Sequence, residues 1–495
     1  MVRYISSRNV NDAVSSHEAV IRGLAKDGGL YTPEKLDFQI DPKDLIGLSY
    51  KDTAAVILSA LMDDYSREEI LSCTAGAYDE KFDVTEIVPV TKTERGWLME
   101  LWHGPTSAFK DIALTILPRL LTAAYQKENR DDKVAILTAT SGDTGKAALS
   151  GFADVDHTAI TVFYPEIGVS AIQKRQMATS KGNNVEVIAV RGNFDDCQRM
   201  VKEAVSDPEV LAACQGVTIS SANSINAGRL IPQVVYYYSS YVKLVENGTI
   251  QCGDEVNFVV PTGNFGDILA GYIAKQIGLP VKRLICASNT NNVLTDFINT
   301  GVYSLDRKFH TTMSPSMDIL ISSNLERLLF MVSGNNDTLV AGMMKDLKEK
   351  GCYKVPDNMM QKIRETFTGY WTSEEECAAV IKDMFEKENI LIDTHTAVGQ
   401  AAMYKYQDET KDTAPCIVLS TASAYKFGHD VLKCITGKDI ADDFEAMDTL
   451  EQVTGKPVPR QLKELRDLPV RFTRVIDIEE GMHAIAARMQ EIANG

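Results

Sequence analysis

The chain has 495 residues, of which 44% are hydrophobic, and its formal net charge is −17. At roughly 150 residues per domain, this length predicts about three domains, and the apolar content is sufficient for a sizeable core. The acidic balance argues against nucleic acid or an anionic membrane surface as a main partner. Small anionic substrates stay compatible with it, since a local cluster of donors can outweigh a distant negative surface.

The nine cysteines are scattered and form no C-x-x-C pair. This pattern predicts reduced thiols and disfavours a disulfide framework or a zinc site. The seven histidines show no H-x-x-x-H pair, so no metal site is expected. The N-terminus lacks the apolar core of a signal peptide, and no run approaches the ~18 apolar residues of a membrane span. We therefore expect a soluble, cytoplasmic protein.

In chain order, residues before about 90 form an N-terminal lobe with the turn signal "KDGGLYTP". From about residue 133, short β-branched runs alternate with helix-like segments; these runs are "VAILTA", "AITVFY", "NVEVIAV", "VTIS", "VNFVV" and "RLICAS". The alternation predicts an α/β fold with buried parallel sheets. In such sheets ligands bind at the carboxyl ends of the strands.

Residues of about 290–390 show charged, helix-like periodicity and are predicted to be a helical insertion. A last strand, "APCIVLS", precedes "TASAYKFGHD", and the chain ends in the helix "GMHAIAARMQEIA". The predicted organisation is an N-terminal lobe (1–90), a core of two α/β subdomains that carries the insertion (91–430), and a C-terminal helical segment (431–495).

Two loops rich in small residues each lie between a predicted strand and a predicted helix. "GNFGD" follows "VNFVVPT", and its small residues allow backbone N–H groups to approach a phosphate at a helix N-terminus. It has neither the Walker lysine nor G-x-G-x-x-G spacing, which disfavours nucleoside triphosphates and dinucleotides. "TATSGDTGKAA" follows "VAILTA" and suits a carboxylate or phosphate. Either loop alone is equally compatible with an ordinary capped helix.

The lysine in "HGPTSAFKD" follows a Gly-Pro turn in the sequence. Taken with this lysine, the two loops indicate a binding site more strongly than they do alone. A cofactor with both a phosphate and an aldehyde would use all three features, since the lysine amine can form a Schiff base with the aldehyde.

These segments resemble the threonine synthase family, in the long form found in bacteria and fungi. "RGLAKDGGLYTP", "HGPTSAFKD", "TSGDTGKAA", "SANSINAGRLIPQ" and "PTGNFGDILAGY" occur in the family's order, and the resemblance covers nearly the whole chain. It implies a pyridoxal-phosphate type II fold, like that of tryptophan synthase β. It also implies conversion of O-phospho-L-homoserine and water to L-threonine and phosphate, by a monomer or homodimer.

The resemblance also implies roles for individual residues. Lys110 matches the Schiff-base lysine, and Thr421 matches the threonine that hydrogen-bonds the pyridine nitrogen. The cofactor-phosphate loop matches Gly263, Asn264, Phe265, Gly266 and Asp267. The residues expected at the substrate are Ser107, Thr140, Ser141, Gly142, Asp143, Thr144, Lys146 and Arg229.

Three assignments stay open. Relatives such as threonine deaminase carry Asn at the position of Asp143, and an ionised Asp cannot donate to the cofactor's 3′-oxygen. Either Asp143 is protonated or another group donates, for which Asn226 is our candidate. The substrate phosphate could meet Arg229, Lys146 or Ser107, with Arg229 first because a guanidinium forms two parallel hydrogen bonds to phosphate. His103 is expected to be a packing residue rather than a proton relay.

Two other functions are compatible with these motifs. One is a different type II lyase, such as a threonine or serine dehydratase, which needs no pocket for a substrate phosphate. The other is a pyridoxal-phosphate-binding sensor or carrier without catalysis, against which the intact Lys110 and substrate loop argue.

Overall fold

The structure, a computed structural model, describes residues 2–140, 142–167 and 169–494. Its N-terminal elements are β1 (Tyr4–Ser6), β2 (Asn9–Val14), α1 (Ser16–Arg22), β3 (Tyr31–Pro33), α2 (Tyr50–Leu61) and α3 (Arg67–Ala77). The three strands form an antiparallel sheet in the order β2-β1-β3, and α1 packs against the helix that begins at Leu117. This N-terminal region is less rich in strands than the core of the chain.

Next come two strands and then an α/β unit. The elements are β4 (Val90–Lys92), β5 (Trp97–Glu100), α4 (Lys110–Leu114), α5 (Leu117–Lys127), β6 (Lys133–Ala139), α6 (Asp143–Phe152), β7 (Thr158–Pro165), α7 (Ala171–Ala178), β8 (Val185–Arg191), α8 (Phe194–Ala204), α9 (Pro208–Ala213) and β9 (Val217–Ser220). Strands β6 to β9 are parallel, and the central strands β6 and β7 are almost entirely buried, which explains why their sequences are mostly apolar rather than alternating.

The second α/β unit and the C-terminal region complete the chain. The elements are α10 (Ala227–Leu230), α11 (Val234–Glu246), β10 (Val256–Pro261), α12 (Gly266–Gln276), β11 (Val281–Ser288), α13 (Val293–Thr300), β12 (Val302–Ser304), α14 (Leu325–Val332), α15 (Asp337–Lys350), β13 (Cys352–Lys354), α16 (Asp357–Thr366), β14 (Phe367–Trp371), α17 (Glu374–Glu388), α18 (Thr394–Thr410), β15 (Cys416–Ser420), α19 (Gly428–Thr436), α20 (Asp443–Thr454), α21 (Arg460–Lys463), β16 (Val475–Asp477) and α22 (Gly481–Asn494).

Two parallel sheets organise these elements. One has the strand order β16-β8-β7-β6-β9, and the other has the order β14-β11-β10-β15-β5-β4, in which only β4 pairs antiparallel. The predicted α/β fold with parallel sheets is therefore confirmed, and each of the predicted strands from residue 133 onward is present. No helix in the described ranges has the length and apolar character needed to cross a bilayer.

The structure differs from the predicted elements in three places. The sequence "INAGRLIPQVVYYYSSYVKLV" is helix-like throughout, but the helix is interrupted between α10 and α11, because Pro232 cannot donate a backbone hydrogen bond and the chain passes through a 3₁₀ turn. The insertion is not purely helical, since it contains the two-stranded antiparallel sheet of β12 and β13 and the strand β14. The C-terminal segment supplies β16, which pairs with the edge of β8. Strands of three to five residues are too short to show a period in sequence.

Candidate active site

A cavity lies where the carboxyl ends of several parallel strands meet. Strand β6 ends just before Thr140, β10 just before the loop 263–267, and β15 just before Thr421. The cavity wall includes Lys110, Thr140, Asp143, Thr144, Arg229, Gly263, Asn264, Phe265, Gly266, Asp267 and Thr421. Most of the residues that the sequence singled out therefore come together in one place, although they are far apart along the chain.

Lys110 begins helix α4 on one side of this cavity. Its side chain is 12% exposed, and its Nζ lies 3.7 Å from Oδ2 of Asp143. Burial lowers the pKa of Lys110 to about 8; the Asp143 carboxylate opposes this shift, while Lys426 and Arg229 add to it. The preceding backbone is fixed as well, since the Phe109 N–H donates to the Thr421 carbonyl at 2.8 Å. A buried lysine with this pKa is partly uncharged near neutral pH and can act as a nucleophile or base.

The loop 263–267 presents backbone donors to the cavity. Within the described residues, the amide N–H groups of this loop donate no hydrogen bond, and α12 begins at Gly266. At Gly263, an added Cβ would come within 2.9 Å of the Ser316 carbonyl oxygen, so a larger residue does not fit there. Unpaired amides at a helix N-terminus suit a phosphate group.

The predicted insertion holds the outer side of the same loop. Ser322 Oγ donates to the Gly263 carbonyl at 2.8 Å, and the Asn324 N–H donates to the Asn264 carbonyl at 3.0 Å. The carbonyls of Gly263 and Asn264 are therefore hydrogen-bonded to the insertion, which holds the backbone of the loop in place while its amides stay without a partner among the described residues. The insertion also supplies Ser316 to the cavity wall. This part of the chain therefore shapes the loop and is more than a surface addition.

Phe265 and Asp267 show how the loop is stabilised. Phe265 has a left-handed backbone (φ 63°), which is strained for a residue with a Cβ, and its buried ring packs 5.6 Å from that of Phe367. Asp267 does not cap α12 but accepts hydrogen bonds from Tyr236 at 2.5 Å and Tyr237 at 3.0 Å. Burial raises the pKa of Asp267 to about 6. Its Oδ2 has no partner among the described residues.

The loop after β6 is built differently. Thr140 Oγ1 accepts hydrogen bonds from the N–H groups of Gly142 and Gly145, each at 2.9 Å. Gly142 has a φ of 143°, and a Cβ there would lie 2.5 Å from the Gln173 side chain, so glycine is required. Thr144 faces the cavity. Ser141, which the sequence also placed at the substrate, lies outside the described residues.

Asp143 is held as an anion. Burial alone would raise its pKa, but the ammonium groups of Lys426 and Lys110 outweigh burial and hold the pKa well below its usual range. Asp143 therefore cannot donate a hydrogen bond to the cofactor's 3′-oxygen. Asn226 does not serve either, since its amide donates to the carbonyls of Val20 and Ser221 and its oxygen accepts from Gly228. It caps α10 rather than lining the cavity.

Arg229 reaches the cavity from α10. It is 3% exposed; its Nη1 donates to the Ala222 carbonyl at 3.0 Å, and its Nε has no partner among the described residues. Burial lowers the pKa of Arg229 to about 10, which leaves it charged at neutral pH. It is therefore not a surface arginine paired with an acidic neighbour. A buried guanidinium with unused donors is suited to an anionic ligand.

The other candidates for the substrate phosphate lie elsewhere. Lys146 donates to Ser180 Oγ at 3.3 Å, and Ser107 Oγ accepts from Gln461 Nε2 at 2.9 Å; neither side chain is in the cavity wall. Thr421 does line the wall, with a hydroxyl that makes no hydrogen bond to a described residue. His103 lies between Asp83 and Glu100, at 2.6 and 2.9 Å, and is a packing histidine, as expected.

Sequence reasoning missed two residues that contact Asp143. Lys426 Nζ lies 2.6 Å from Asp143 Oδ1, and Gln173 Nε2 donates to the same oxygen at 2.8 Å. Lys426 stands between Tyr425 and Phe427 in "ASAYKFG". A single lysine between two aromatic residues, just after a buried strand, is a signal that could have indicated burial. Gln173 carries no comparable signal.

Comparison with known proteins gives matches along nearly the whole chain. A family model described as "Pyridoxal-phosphate dependent enzyme" matches residues 83–422. Two models of threonine synthase regions match the N-terminal residues 3–78 and the C-terminal residues 396–485.

Individual relatives agree with these matches. Threonine synthase from Pseudomonas aeruginosa is 38% identical over 90% of this chain and 94% of its own length. The crystal structure of PLP-bound threonine synthase from Brucella melitensis matches with a TM-score of 0.87 and 34% identity, and each chain is covered completely. Human threonine synthase-like 1 is 39% identical over 86% of this chain, which spans only 58% of that longer protein.

Proposed function

Because the chain belongs to the threonine synthase family of pyridoxal-phosphate-dependent enzymes, we propose that it converts O-phospho-L-homoserine and water to L-threonine and inorganic phosphate. The reaction class is a carbon–oxygen lyase acting on phosphates. The expected role is the last step of threonine biosynthesis.

The described residues fit pyridoxal phosphate, the cofactor of this family. The unpaired amides of the loop 263–267 would hold its phosphate, Lys110 would join its aldehyde, and the free hydroxyl of Thr421 would meet its pyridine nitrogen. When bound, the cofactor supplies an electron-withdrawing ring that makes carbon-bound protons of the substrate acidic. No further group is required for this fit, and the described residues contain no cluster of metal ligands.

Lys110 would then do most of the proton chemistry. While the substrate occupies the site, its amine would be free, and with a pKa near 8 it could accept and return protons at neutral pH. It faces the same space as Arg229 and the loop after β6, so one amine can serve several neighbouring carbon atoms. Thr144 and the N-terminus of α6 would orient the α-carboxylate of the substrate.

The observation that carries this proposal is the buried guanidinium of Arg229. A threonine or serine dehydratase has a substrate without a phosphate and gains nothing from burying an unpaired positive charge beside Lys110. A guanidinium at this position would grip the γ-phosphate and stabilise it as it leaves. We therefore favour the synthase over the dehydratase. The lowered pKa of Lys110 likewise favours an active enzyme over a cofactor carrier.

The test is to incubate the cofactor-loaded protein with O-phospho-L-homoserine and to quantify threonine and free phosphate. We expect the two products in equal amounts. L-Threonine and L-serine should be offered separately, with ammonia release as the readout of dehydratase activity. Ammonia from these substrates without threonine from phosphohomoserine would contradict the proposal.

We further propose the division into residues 1–90, 91–430 and 431–495, which is supported by the approximate positions of the three family matches. A monomeric or homodimeric state, a cytoplasmic location and the lack of a nucleic-acid partner stay predictions. Size-exclusion chromatography with light scattering would test the first of these.

A further inference from the structure

Lys426 is a completely buried lysine that the proposed reaction does not use directly. It lies in a 3₁₀ turn, Ala424–Phe427, shortly after Thr421. Its side chain is 0% exposed, and its Nζ donates to the Thr106 carbonyl at 3.0 Å in addition to its contact with Asp143. A buried ammonium costs several kcal/mol unless it is paired. Asp143 is the partner that makes this burial tolerable.

The two oxygens of Asp143 have different neighbours. Oδ1 lies 2.6 Å from Lys426 Nζ and accepts from Gln173 Nε2 at 2.8 Å, whereas Oδ2 lies 3.7 Å from Lys110 Nζ. Since a carboxylate is planar, two donors that hold Oδ1 also fix the direction of Oδ2. Lys426 therefore determines how Asp143 faces Lys110.

Charge balance around Lys110 depends on the same contact. The charged and titratable groups that face it are Asp143 from α6, Arg229 from α10, Asp267 from α12 and Lys426 from the 3₁₀ turn. Without Lys426, the full charge of Asp143 would act on Lys110 and favour its protonated form. With Lys426 present, the carboxylate is shared between two ammonium groups.

We propose that Lys426 is a positioning residue whose ammonium holds and offsets the Asp143 carboxylate, so that the Lys110 amine stays available as a base. This rests on the proposed function for the use of that base, whereas the state of the amine can be measured without any substrate. Lys426 also connects three segments of the site: it belongs to the turn after Thr421, and its Nζ contacts both the Thr106 carbonyl and Asp143.

The test measures the titration of the Lys110 amine in the full-length chain after removal of the cofactor. Trace labelling with acetic anhydride between pH 6 and pH 11, followed by mass spectrometry of the Lys110 peptide, gives the midpoint. Lys426→Met should move this midpoint upward by about one pH unit or more, because the Asp143 charge is no longer offset. Asp143→Asn should move it downward, because two cations then lack their anion.

Because Lys426→Met and Asp143→Asn should shift the midpoint in opposite directions, the pair distinguishes an effect of charge from general damage to the fold. Lys426→Arg keeps the positive charge and should keep the midpoint close to that of the unchanged protein. Lys275→Met is the matched control: Lys275 is a half-buried lysine that donates to the Val281 carbonyl at 2.8 Å, away from the cavity, and its loss should not shift Lys110. Circular dichroism should verify folding of each variant.

An unchanged midpoint in folded Lys426→Met would overturn the proposal, as would an upward or absent shift in Asp143→Asn. If Lys426→Met does not fold, Lys426→Gln is measured in its place, and an unchanged midpoint in that variant would overturn the proposal. If both shifts are observed but no threonine is formed, this inference stands and the proposed function is wrong. If threonine is formed but the shifts are not observed, the proposed function stands and this inference is wrong.

Discussion

The two loops that come after β6 and β10 are similar in sequence but opposite in electrostatics. Both are rich in glycine, and both lead from a buried parallel strand into a helix. In the loop 263–267 the carbonyls of Gly263 and Asn264 accept hydrogen bonds from the insertion, and the amides donate to no described residue. In the loop after β6, two amides are taken by Thr140, and Asp143 brings a negative charge toward Lys110.

From this difference we propose that the two loops bind different ligands. A phosphate dianion needs several free donors, and the loop 263–267 can provide them because its amides donate to no described residue. The loop after β6 carries the Asp143 carboxylate, and we propose that it binds the single charge of an α-carboxylate. The substrate phosphate must then be bound by a separate cation, for which Arg229 is the proposed residue. Single substitutions can remove each part of that arrangement in turn.

The largest effect is expected at Lys110, which both loops face. Lys110→Ala removes the only base that we propose, so the rate of threonine formation should fall by about 10³-fold or more. Steady-state kinetics would measure the loss, and the exposed Lys433→Ala serves as the control. Borohydride treatment of the cofactor-loaded parent protein should label Lys110. A label on Lys146 instead would show that the lysine has been assigned wrongly.

A smaller effect is expected at the substrate phosphate. Arg229→Leu removes a buried charge-assisted contact and should lower kcat/KM by about 10²-fold, while Arg229→Lys should be intermediate because it keeps the charge but loses the second hydrogen bond. The Kd of the cofactor should not change, since its phosphate rests on the other loop. Arg474→Leu, on the surface, is the control. Full activity in both Arg229 variants would mean that this residue is structural.

A paired experiment tests the division between the loops. Gly263→Ala places a Cβ within 2.9 Å of the Ser316 carbonyl and should weaken cofactor binding about tenfold. Thr140→Val frees the amides of Gly142 and Gly145 and should raise KM for the substrate about tenfold without changing cofactor affinity. Fluorescence titration with cofactor and steady-state kinetics separate the two. If both variants change both constants equally, the loops do not have separate tasks.

The smallest effect concerns stability at a residue outside the cavity. Burial lowers the pKa of His103, but the hydrogen bonds with Asp83 and Glu100 outweigh it and raise the pKa to about 9. The stabilisation is therefore fully present below pH 6.5 and is lost as the pH rises through about 9. His103→Gln should reduce the free energy of unfolding by roughly 1–2 kcal/mol at pH 6, after allowance for the exposure of Asp83, and by less at pH 9.5. Urea unfolding at both pH values measures the two losses. An equal loss of unfolding free energy at pH 6 and pH 9.5 would contradict this assignment.

The sequence predicts the parallel sheets and the cavity residues at strand ends, because apolar runs and glycine-rich turns are local features. It does not predict β14 or β16, whose few residues become strands only when they pair with β11 and β8. It also places Ser107 and Lys146 at the substrate by proximity to the motifs, although their side chains bond to Gln461 and Ser180. Side-chain direction depends on tertiary packing, which no local pattern contains. Lys426 was missed for the same reason.

In the proposed reaction, the carbon–oxygen bond to the phosphate breaks at the γ-carbon of the substrate, and the oxygen of water adds at the β-carbon, beside Lys110. The direct test is turnover of O-phospho-L-homoserine in water enriched in ¹⁸O, with mass spectrometry of both products. The proposed reaction predicts that ¹⁸O appears in the hydroxyl group of threonine and that the phosphate released keeps its four original oxygens. Incorporation of ¹⁸O into phosphate, with homoserine as the other product, would show hydrolysis of the phosphate ester and would contradict the proposed reaction.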